Sequence, residues 1–140
     1  MAAGKKYVDV NVFVYWLGNH PTLGKIAKDW IRDVERSAKG SYVTSSLTVY
    51  EVLIVMSGRT GNSLENKRFV EKVLEAIFGL RGLEISPIIK SDFTSALEYM
   101  GKYGLDLEDA LHLTVALREK AVEIVSNDKD FDKTPLRRIF

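Results

Sequence analysis

Four acidic residues stand in mostly apolar surroundings along this chain: Asp9, Glu51, Asp109 and Asp128. Glu51 is the single charge between positions 47 and 56, and Asp9 is the single charge between positions 7 and 14. A carboxylate placed against a protein core loses several kcal/mol of hydration unless it is paired or holds a cation. The four acids together therefore predict a site for a divalent metal ion.

Each acid also has an ordinary structural interpretation. Asp9 could cap a helix at the end of a strand, and Asp128 could close an Asx turn. If Asp106 is an N-cap, Asp109 lies in a first helical turn, where the macrodipole favours acids without any further role. The alternative for Glu51 is a side chain at the edge of a core stripe that reaches water. That alternative is the weakest, because an unpaired glutamate is rarely buried and its helical neighbours are uncharged.

The elements that must position these acids alternate between strands and helices. Patterns of apolar and β-branched residues predict strands at 6–10, 41–45, 83–86 and 122–126. Amphipathic patterns predict helices at 23–37, 47–56, 63–78, 91–103 and 106–120, with Ser45 or Ser46 and Ser63 as caps and with Gly40 and Gly104 as ends. Residues 11–17 fit either a continued strand or a short helix, and loops are expected at 57–63 and 127–135.

This alternation predicts a three-layer α/β/α sandwich with a mainly parallel central sheet. Asp9 and Asp128 then lie at or near the C-terminal ends of strands. Because ligand sites in open α/β sheets collect at that edge, the fold independently favours bringing these acids together.

Composition sets the limits of this interpretation. A chain of 140 residues, 46% hydrophobic and 28% charged, predicts one globular domain spanning residues 1–140. A net charge of +1 gives no global sign of nucleic-acid binding, so such binding would need a local basic patch. The absence of cysteine excludes disulfides and fits a reducing cytoplasm. No signal peptide is evident, and no segment approaches the roughly 20 apolar residues of a membrane span.

The two histidines give no sign of a zinc site or of histidine catalysis. With His20 and His112 as the only histidines and no cysteine, the usual zinc ligand set is missing. Nothing in the spacing pairs either histidine with a nucleophile, so neither is expected to be a catalyst.

Taken together, these residues resemble the PIN domain family, specifically its small VapC-type toxin nucleases. Four segments carry the resemblance in the family's order: 8–12, 45–52, 104–113 and 124–131. The resemblance implies a parallel α/β/α fold whose acids Asp9, Glu51, Asp109 and Asp128 gather in one pocket with Mg²⁺ or Mn²⁺. It also implies that Asn11 is a polar residue beside the site and that Ser126 replaces a threonine with its hydroxyl retained. Whether Asp130 or Asp132 supplements Asp128 stays open.

The same resemblance implies an endoribonuclease that hydrolyses RNA phosphodiester bonds as the toxin of a toxin-antitoxin pair. It further implies a homodimer and a neutralising antitoxin protein. Asp9 and Asp109 are the expected direct metal ligands, and Glu51 and Asp128 would act through water, with one or two ions bound. Arg59, with Lys67 and Arg68 beyond it, is the candidate for contacts with RNA phosphates.

Three alternatives remain. The first is a non-catalytic RNA- or protein-binding module of the same fold, against which the complete set of acids argues. The second is a phospho-acceptor receiver domain, but residues 42–45 offer no acceptor aspartate at the end of a middle strand. The third is a structure-specific DNA nuclease, whose additional DNA-gripping elements would lengthen the chain.

Overall fold

The computed structural model describes residues 4–140, in which five parallel strands form one sheet in the order β3-β2-β1-β4-β5. The strands are β1 (Lys5–Val8), β2 (Tyr42–Ser45), β3 (Leu83–Ser86), β4 (Ala121–Val125) and β5 (Arg137–Ile139). The helices are α1 (Val10–Leu17), α2 (Gly24–Arg36), α3 (Ser46–Thr60), α4 (Lys67–Phe78), α5 (Lys90–Tyr103) and α6 (Leu107–Arg118), followed by a 3-10 helix (Lys129–Lys133).

Helices cover both faces of the sheet. Successive strand residues point to opposite faces, so neighbouring residues pack into different cores. Val8 packs into a core with the buried faces of α1 to α4, whereas its neighbour Tyr7 packs into a second core with α5 and α6. Tyr42 and Val43 alternate in the same way on β2. The predicted three-layer α/β/α sandwich with a parallel sheet is therefore confirmed.

The junction between β1 and α1 decides how the first acid is placed. The strand ends at Val8, so the predicted strand 6–10 is too long at its C-terminal end. Asp9 is the N-cap of α1, and its Oδ1 accepts a hydrogen bond of 2.8 Å from the backbone N–H of Val10. Residues 11–17 accordingly form a helix, the second of the two alternatives. This sharp turn leaves Asp9 directly at the carboxyl edge of the sheet.

Helix α3 is longer than predicted. Of the two predicted caps, Ser45 is the N-cap, and its Oγ accepts a hydrogen bond of 3.2 Å from the N–H of Thr48. The helix continues through the predicted loop 57–63 as far as Thr60, whose hydroxyl donates to the carbonyl of Met56 at 2.7 Å. Gly61, at φ 72°, ends the helix in the left-handed conformation that glycine adopts without strain. The side chain of residue 59 therefore projects from a helix and not from a loop.

Other predicted boundaries were also wrong. Helix α4 begins at Lys67 because Asn66, not Ser63, is its cap: Oδ1 of Asn66 accepts from the N–H of Phe69 at 3.2 Å. Helix α2 ends at Arg36, and Gly40 lies in the turn before β2. The predicted loop 127–135 contains the 3-10 helix. Gly104 ends α5 as expected, at φ 65°.

The edge strand β5 was not predicted. It is three residues long and contains two arginines, so it shows no alternation that would distinguish it from a loop. It pairs in parallel with β4, in the register Val125 with Ile139. In the part of the chain that the structure describes, no helix has the length and apolarity to cross a membrane, and the longest, α3, has 15 residues.

Candidate active site

A pocket of about 250 Å³ lies at the carboxyl edge of the sheet, where β1 and β4 end beside the N-termini of α1 and α6. Three of the four predicted acids line it: Asp9, Asp109 and Asp128. The other residues around it are Val10, Asn11, Val14, Tyr15, Val55, Arg59 and Glu108. The structure thus brings together acids that are distant in sequence. For Asp9 and Asp128 this agrees with their predicted place at the C-terminal ends of strands.

Asp9 is the most enclosed of these acids, with 6% of its surface exposed. Its Oδ2 accepts hydrogen bonds from the Ser126 hydroxyl at 2.6 Å and from the side-chain amide of Asn11 at 3.2 Å. Burial raises the pKa of Asp9 above its ordinary value, while nearby His112 and the Ser126 hydroxyl oppose that rise. Asn11 and Ser126 therefore orient the carboxylate, and Ser126 does so from beneath the pocket.

A second group of acids lies near these contacts. Carboxylate oxygens of Asp109, Asp128 and Asp130 lie within 4.8 Å of one another. Desolvation, followed by repulsion from Asp128, Asp106 and Asp9, raises the pKa of Asp109 to about 7. Repulsion between like charges thus contributes to this raised pKa, after desolvation.

Asp109 and Asp128 also have the local backbone roles that the sequence suggested. Asp106 is the N-cap of α6 and accepts from the N–H of Asp109 at 2.8 Å, which places Asp109 in the first turn. Asp128 closes an Asx turn, with Oδ1 2.9 Å from the N–H of Asp130. A local capping role therefore does not prevent either carboxylate from facing the pocket.

The two later acids of the same loop have different surroundings. Asp130 belongs to the carboxylate group, although Lys133 approaches it to 3.8 Å. Asp132 instead accepts from Nε of Arg138 at 2.9 Å, which turns it toward β5. Of the alternatives that the sequence left open, Asp130 is the acid that lies beside Asp128.

The donor set fits a hard divalent cation. It consists of oxygen ligands, which Mg²⁺ and Mn²⁺ prefer. Desolvation and repulsion from the neighbouring acids raise the pKa of Asp109; a cation would relieve the repulsion, and the pocket is open to solvent beside it. Asp9, Asp109, Asp128 and Asp130 are the residues that could hold such an ion.

Glu51 lies outside this pocket, in an adjoining groove of about 410 Å³ lined by Leu47, Tyr50, Ile54, Val55 and Glu108. Its Oε1 is 2.7 Å from Nε2 of His112. Desolvation acts to raise the pKa of Glu51, but hydrogen bonds from His112 and Glu108 outweigh it and lower that pKa. The structure therefore places Glu51 beside the other acids, with Val55 and Glu108 shared by both cavities, but directs its carboxylate toward His112.

Glu108 is a neighbour of Glu51 that sequence reasoning missed. The hydrogen bond that it shares with Glu51, together with desolvation and repulsion, raises the pKa of Glu108 to about 8. The available signal was its spacing of four residues from His112, which puts both side chains on one face of α6.

His112, for which the sequence predicted no role in catalysis, lies against Glu51. It is 1% exposed, and its Nδ1 is 2.7 Å from the hydroxyl of Tyr7. Desolvation acts to lower the pKa of His112, but its contacts with Tyr7 and Glu51 outweigh that effect and raise the pKa well above the ordinary value. The signal was available, since a histidine inside the apolar run 110–117 is as unusual as the acids that were singled out.

The non-acidic side of the pocket carries residues suited to contact with a nucleotide. Arg59, on the last turn of α3, is exposed at the rim. Tyr15 lines the wall, and its hydroxyl accepts from the side-chain amide of Asn127 at 3.3 Å. Lys67 and Arg68 lie outside the pocket lining, and Lys67 approaches Glu71 to 3.7 Å.

Comparison with known proteins agrees with this geometry. The sequence model of the PIN domain matches residues 6–136. Ribonuclease VapC1 of Aquifex aeolicus (strain VF5) is 31% identical over 133 residues, which cover 94% of this chain and 86% of that relative.

Two solved structures share the fold. VapC20 of Mycobacterium tuberculosis, a sarcin-ricin loop cleaving toxin, has a TM-score of 0.74 and 13% identity and covers 95% of this chain and 99% of its own. A toxin-antitoxin complex from Klebsiella pneumoniae has a TM-score of 0.68 and 18% identity, with 97% of each chain covered. The match along nearly the whole chain, together with the acids at the carboxyl edge of the sheet, means that this protein belongs to the PIN domain family, in which it resembles the VapC-type members.

Proposed function

We propose that this protein is a divalent-metal-dependent endoribonuclease that hydrolyses RNA phosphodiester bonds. The observation that carries the proposal is the lining of one open pocket by Asp9, Asp109 and Asp128. The relatedness to Ribonuclease VapC1 favours RNA as the substrate.

The mechanism assigns each acid a role. Asp9, oriented by Ser126 and Asn11, and Asp109, at the start of α6, would bind Mg²⁺ or Mn²⁺ directly, and Asp128 would bind through water. The ion would supply Lewis-acid stabilisation of phosphate charge and lower the pKa of a water molecule. Glu51 would bind the ion through a water molecule and orient that water for attack, because its carboxylate is held in the groove beside the pocket.

Substrate contacts would come from the other wall. The exposed guanidinium of Arg59 is suited to an RNA phosphate, whose contacts dominate the affinity of proteins for nucleic acids. Tyr15 offers an aromatic ring on which an unpaired base can stack. Stacking of this kind suits a single-stranded substrate.

The biological setting that we propose is a toxin with a neutralising antitoxin and a homodimeric toxin subunit. The structural neighbour from Klebsiella pneumoniae is a toxin-antitoxin complex. In this chain, Tyr50, Ile54 and Leu107 remain substantially exposed, the first two beside Glu51. Apolar side chains exposed beside an active site are typical of surfaces that a protein partner covers.

A second candidate function is a non-catalytic RNA- or protein-binding module. The observation that favours it is the engagement of Glu51 by His112 and Glu108, which leaves Asp9, Asp109 and Asp128 as a reduced set of acids in the pocket. Such a module would bind RNA without cleaving it.

The test is incubation of the purified protein with labelled single-stranded RNA and DNA in Mg²⁺, in Mn²⁺ and in chelator. We expect RNA cleavage that chelator abolishes and added Mn²⁺ restores. Asp109→Asn should lose most of the activity, whereas Asp132→Asn, whose carboxylate faces Arg138, should retain it. Undiminished cleavage in chelator would refute the metal mechanism, and RNA binding without cleavage under every condition would establish the binding module.

A further inference from the structure

A continuous chain of hydrogen bonds runs through the interior from β2 to Glu51. The hydroxyl of Tyr7 donates to Oγ of Ser45 at 2.9 Å and lies 2.7 Å from Nδ1 of His112. On the other side of the ring, Nε2 of His112 lies 2.7 Å from Oε1 of Glu51. Tyr7, Ser45 and His112 are at most 1% exposed, so water does not compete for the contacts among these three residues.

The imidazole of His112 has one orientation available. Nδ1 contacts the hydroxyl of Tyr7, and Nε2 contacts Glu51. The rings of Tyr7 and His112 also pack edge to face, with 5.8 Å between their centroids and an interplanar angle of 66°. Rotation about the ring bond would break both hydrogen bonds within an apolar core, where unsatisfied polar atoms are strongly unfavourable. The Nε2 donor is therefore a fixed point in the structure.

Glu51 is the end of the chain that reaches the surface. Its side chain is 14% exposed and stands in the groove that shares Val55 and Glu108 with the acidic pocket. It accepts a hydrogen bond from His112 on its inner side. This contact orders the carboxylate before any ligand arrives.

Stability alone gives no reason for this arrangement. Apolar side chains of similar volume often stabilise a core as well as, or better than, a buried polar or charged network. The elements concerned are those of the active site: Tyr7 lies in β1 two residues before Asp9, and His112 follows Asp109 by one turn of α6. The hydrogen-bond network therefore holds Glu51 relative to the same strand and helix that position Asp9 and Asp109.

We propose that His112 is a positioning residue for the reaction, which fixes the carboxylate of Glu51 beside the acidic pocket and is itself fixed by Tyr7. The inference rests on the proposed function. Loss of His112 would leave Glu51 able to swing into the open groove. The effect should fall on turnover and on the affinity for metal, and substrate affinity should change little.

The single substitutions form a graded series. His112→Leu removes both hydrogen bonds, His112→Gln keeps a donor directed toward Glu51, and Tyr7→Phe removes only the hydroxyl that holds the ring. The matched control is Thr114→Val, because Thr114 is a buried polar residue of α6 whose hydroxyl donates to the carbonyl of Ala110 and not to the network.

For each variant, kcat and KM on single-stranded RNA would be measured in Mn²⁺, and Mn²⁺ affinity would be measured by calorimetry without RNA. We expect His112→Leu to lower kcat and Mn²⁺ affinity by roughly 10- to 100-fold, the range typical of residues that orient metal-site ligands. KM should change by less than about threefold, His112→Gln should recover part of the loss, and Tyr7→Phe should show a smaller loss of the same kind.

A double substitution separates positioning from a general structural effect. If His112 acts through Glu51, His112→Leu should cause no further loss of kcat or Mn²⁺ affinity in the Glu51→Gln background. Independent, multiplicative losses would overturn the inference, as would a His112→Leu protein that behaves like Thr114→Val. If His112→Leu fails to fold, the same cycle with Tyr7→Phe decides the question.

The metal measurement also distinguishes the two proposals. If the wild-type protein binds Mn²⁺ but cleaves no RNA, the proposed ribonuclease function fails. The coupling between His112 and Glu51 is then decided by Mn²⁺ affinity alone. If RNA is cleaved and the losses are independent, the ribonuclease function stands and the positioning role fails.

Discussion

The hydroxyl of Ser126 donates a hydrogen bond of 2.6 Å to Oδ2 of Asp9, across a separation of 117 positions in the chain. The contact joins the ends of β1 and β4, which are neighbours in the sheet. Ser126 also accepts from the N–H of Asp128 at 3.0 Å. One buried hydroxyl thus fixes an acid on each side of the pocket relative to the sheet.

Removal of this hydroxyl should impair both folding and activity. Ser126→Ala leaves a buried carboxylate oxygen with one donor fewer, and we expect a loss of about 1–3 kcal/mol in the free energy of unfolding at pH 8. RNA cleavage should fall by about tenfold, because Asp9 is less firmly oriented toward the metal. Urea unfolding and steady-state kinetics measure the two effects. Ser126→Thr, which keeps the hydroxyl, is the control, and an equal loss in that variant would contradict the explanation.

Asp109 should make the metal-free protein less stable as the pH rises. Its pKa is about 7 in the folded protein, above the ordinary value of 3.8, so the folded state holds the proton more tightly than the unfolded state. Between pH 4 and 7 the unfolded chain has lost this proton while the folded protein retains it, and stability falls through that window. The loss is complete above the folded pKa.

Asp109→Asn should remove this dependence. In chelator, the variant should gain stability relative to wild type as the pH rises from 4 to 7 and keep that gain at pH 8. We expect a gain on the order of 1 kcal/mol, because solvent screening at a partly exposed site reduces the full effect of the shift. Urea unfolding at pH 4, 5.5, 7 and 8 measures it, with Asp132→Asn as the control. A gain that is the same at every pH would show that repulsion among the acids is not its source.

Much of the site could be predicted because the positions of Asp9 and Asp128 follow from strand ends. The β-branched residues of β1 and β4 locate those strands to within about two residues, and parallel strands must present their carboxyl ends at one edge. The direction of Glu51 could not be predicted. Its place in an apolar helix was evident, but whether it faces the pocket or His112 depends on side-chain geometry that spacing does not contain.

The prediction also failed where the local signal was weak. Gly58 was interpreted as part of a loop, although glycine in a helix is unfavourable by only about 1 kcal/mol relative to alanine. The buried side chain of Met56 and the cap at Gly61 outweigh that preference. β5 was missed for a related reason, because pairing with β4 and not its own sequence makes it a strand.

Tyr15 should contribute to RNA affinity and not to the chemical step. Removal of a ring that stacks on a base typically loses about 1–3 kcal/mol, so we expect Tyr15→Ala to raise KM by about tenfold with kcat nearly unchanged. Steady-state cleavage of a single-stranded RNA measures both constants. Tyr15→Phe keeps the ring and loses only the contact with Asn127, so its KM should stay near that of wild type. An equal KM in Tyr15→Ala and wild type would show that the Tyr15 ring does not contact the bound RNA.

Gly58 of α3 and Gly61, the residue that ends this helix, should respond to alanine in opposite directions. Gly58 lies inside the helix, and a Cβ there would meet nothing within 4 Å, so Gly58→Ala should stabilise the protein by about 0.5–1 kcal/mol. Gly61 has φ 72°, a conformation that strains any residue with a Cβ, so Gly61→Ala should destabilise it by about 1–2 kcal/mol. Urea unfolding of both variants in Mg²⁺ measures the difference. If Gly58→Ala were destabilising, the helix would end before Arg59, and the placement of that arginine at the pocket rim would be wrong.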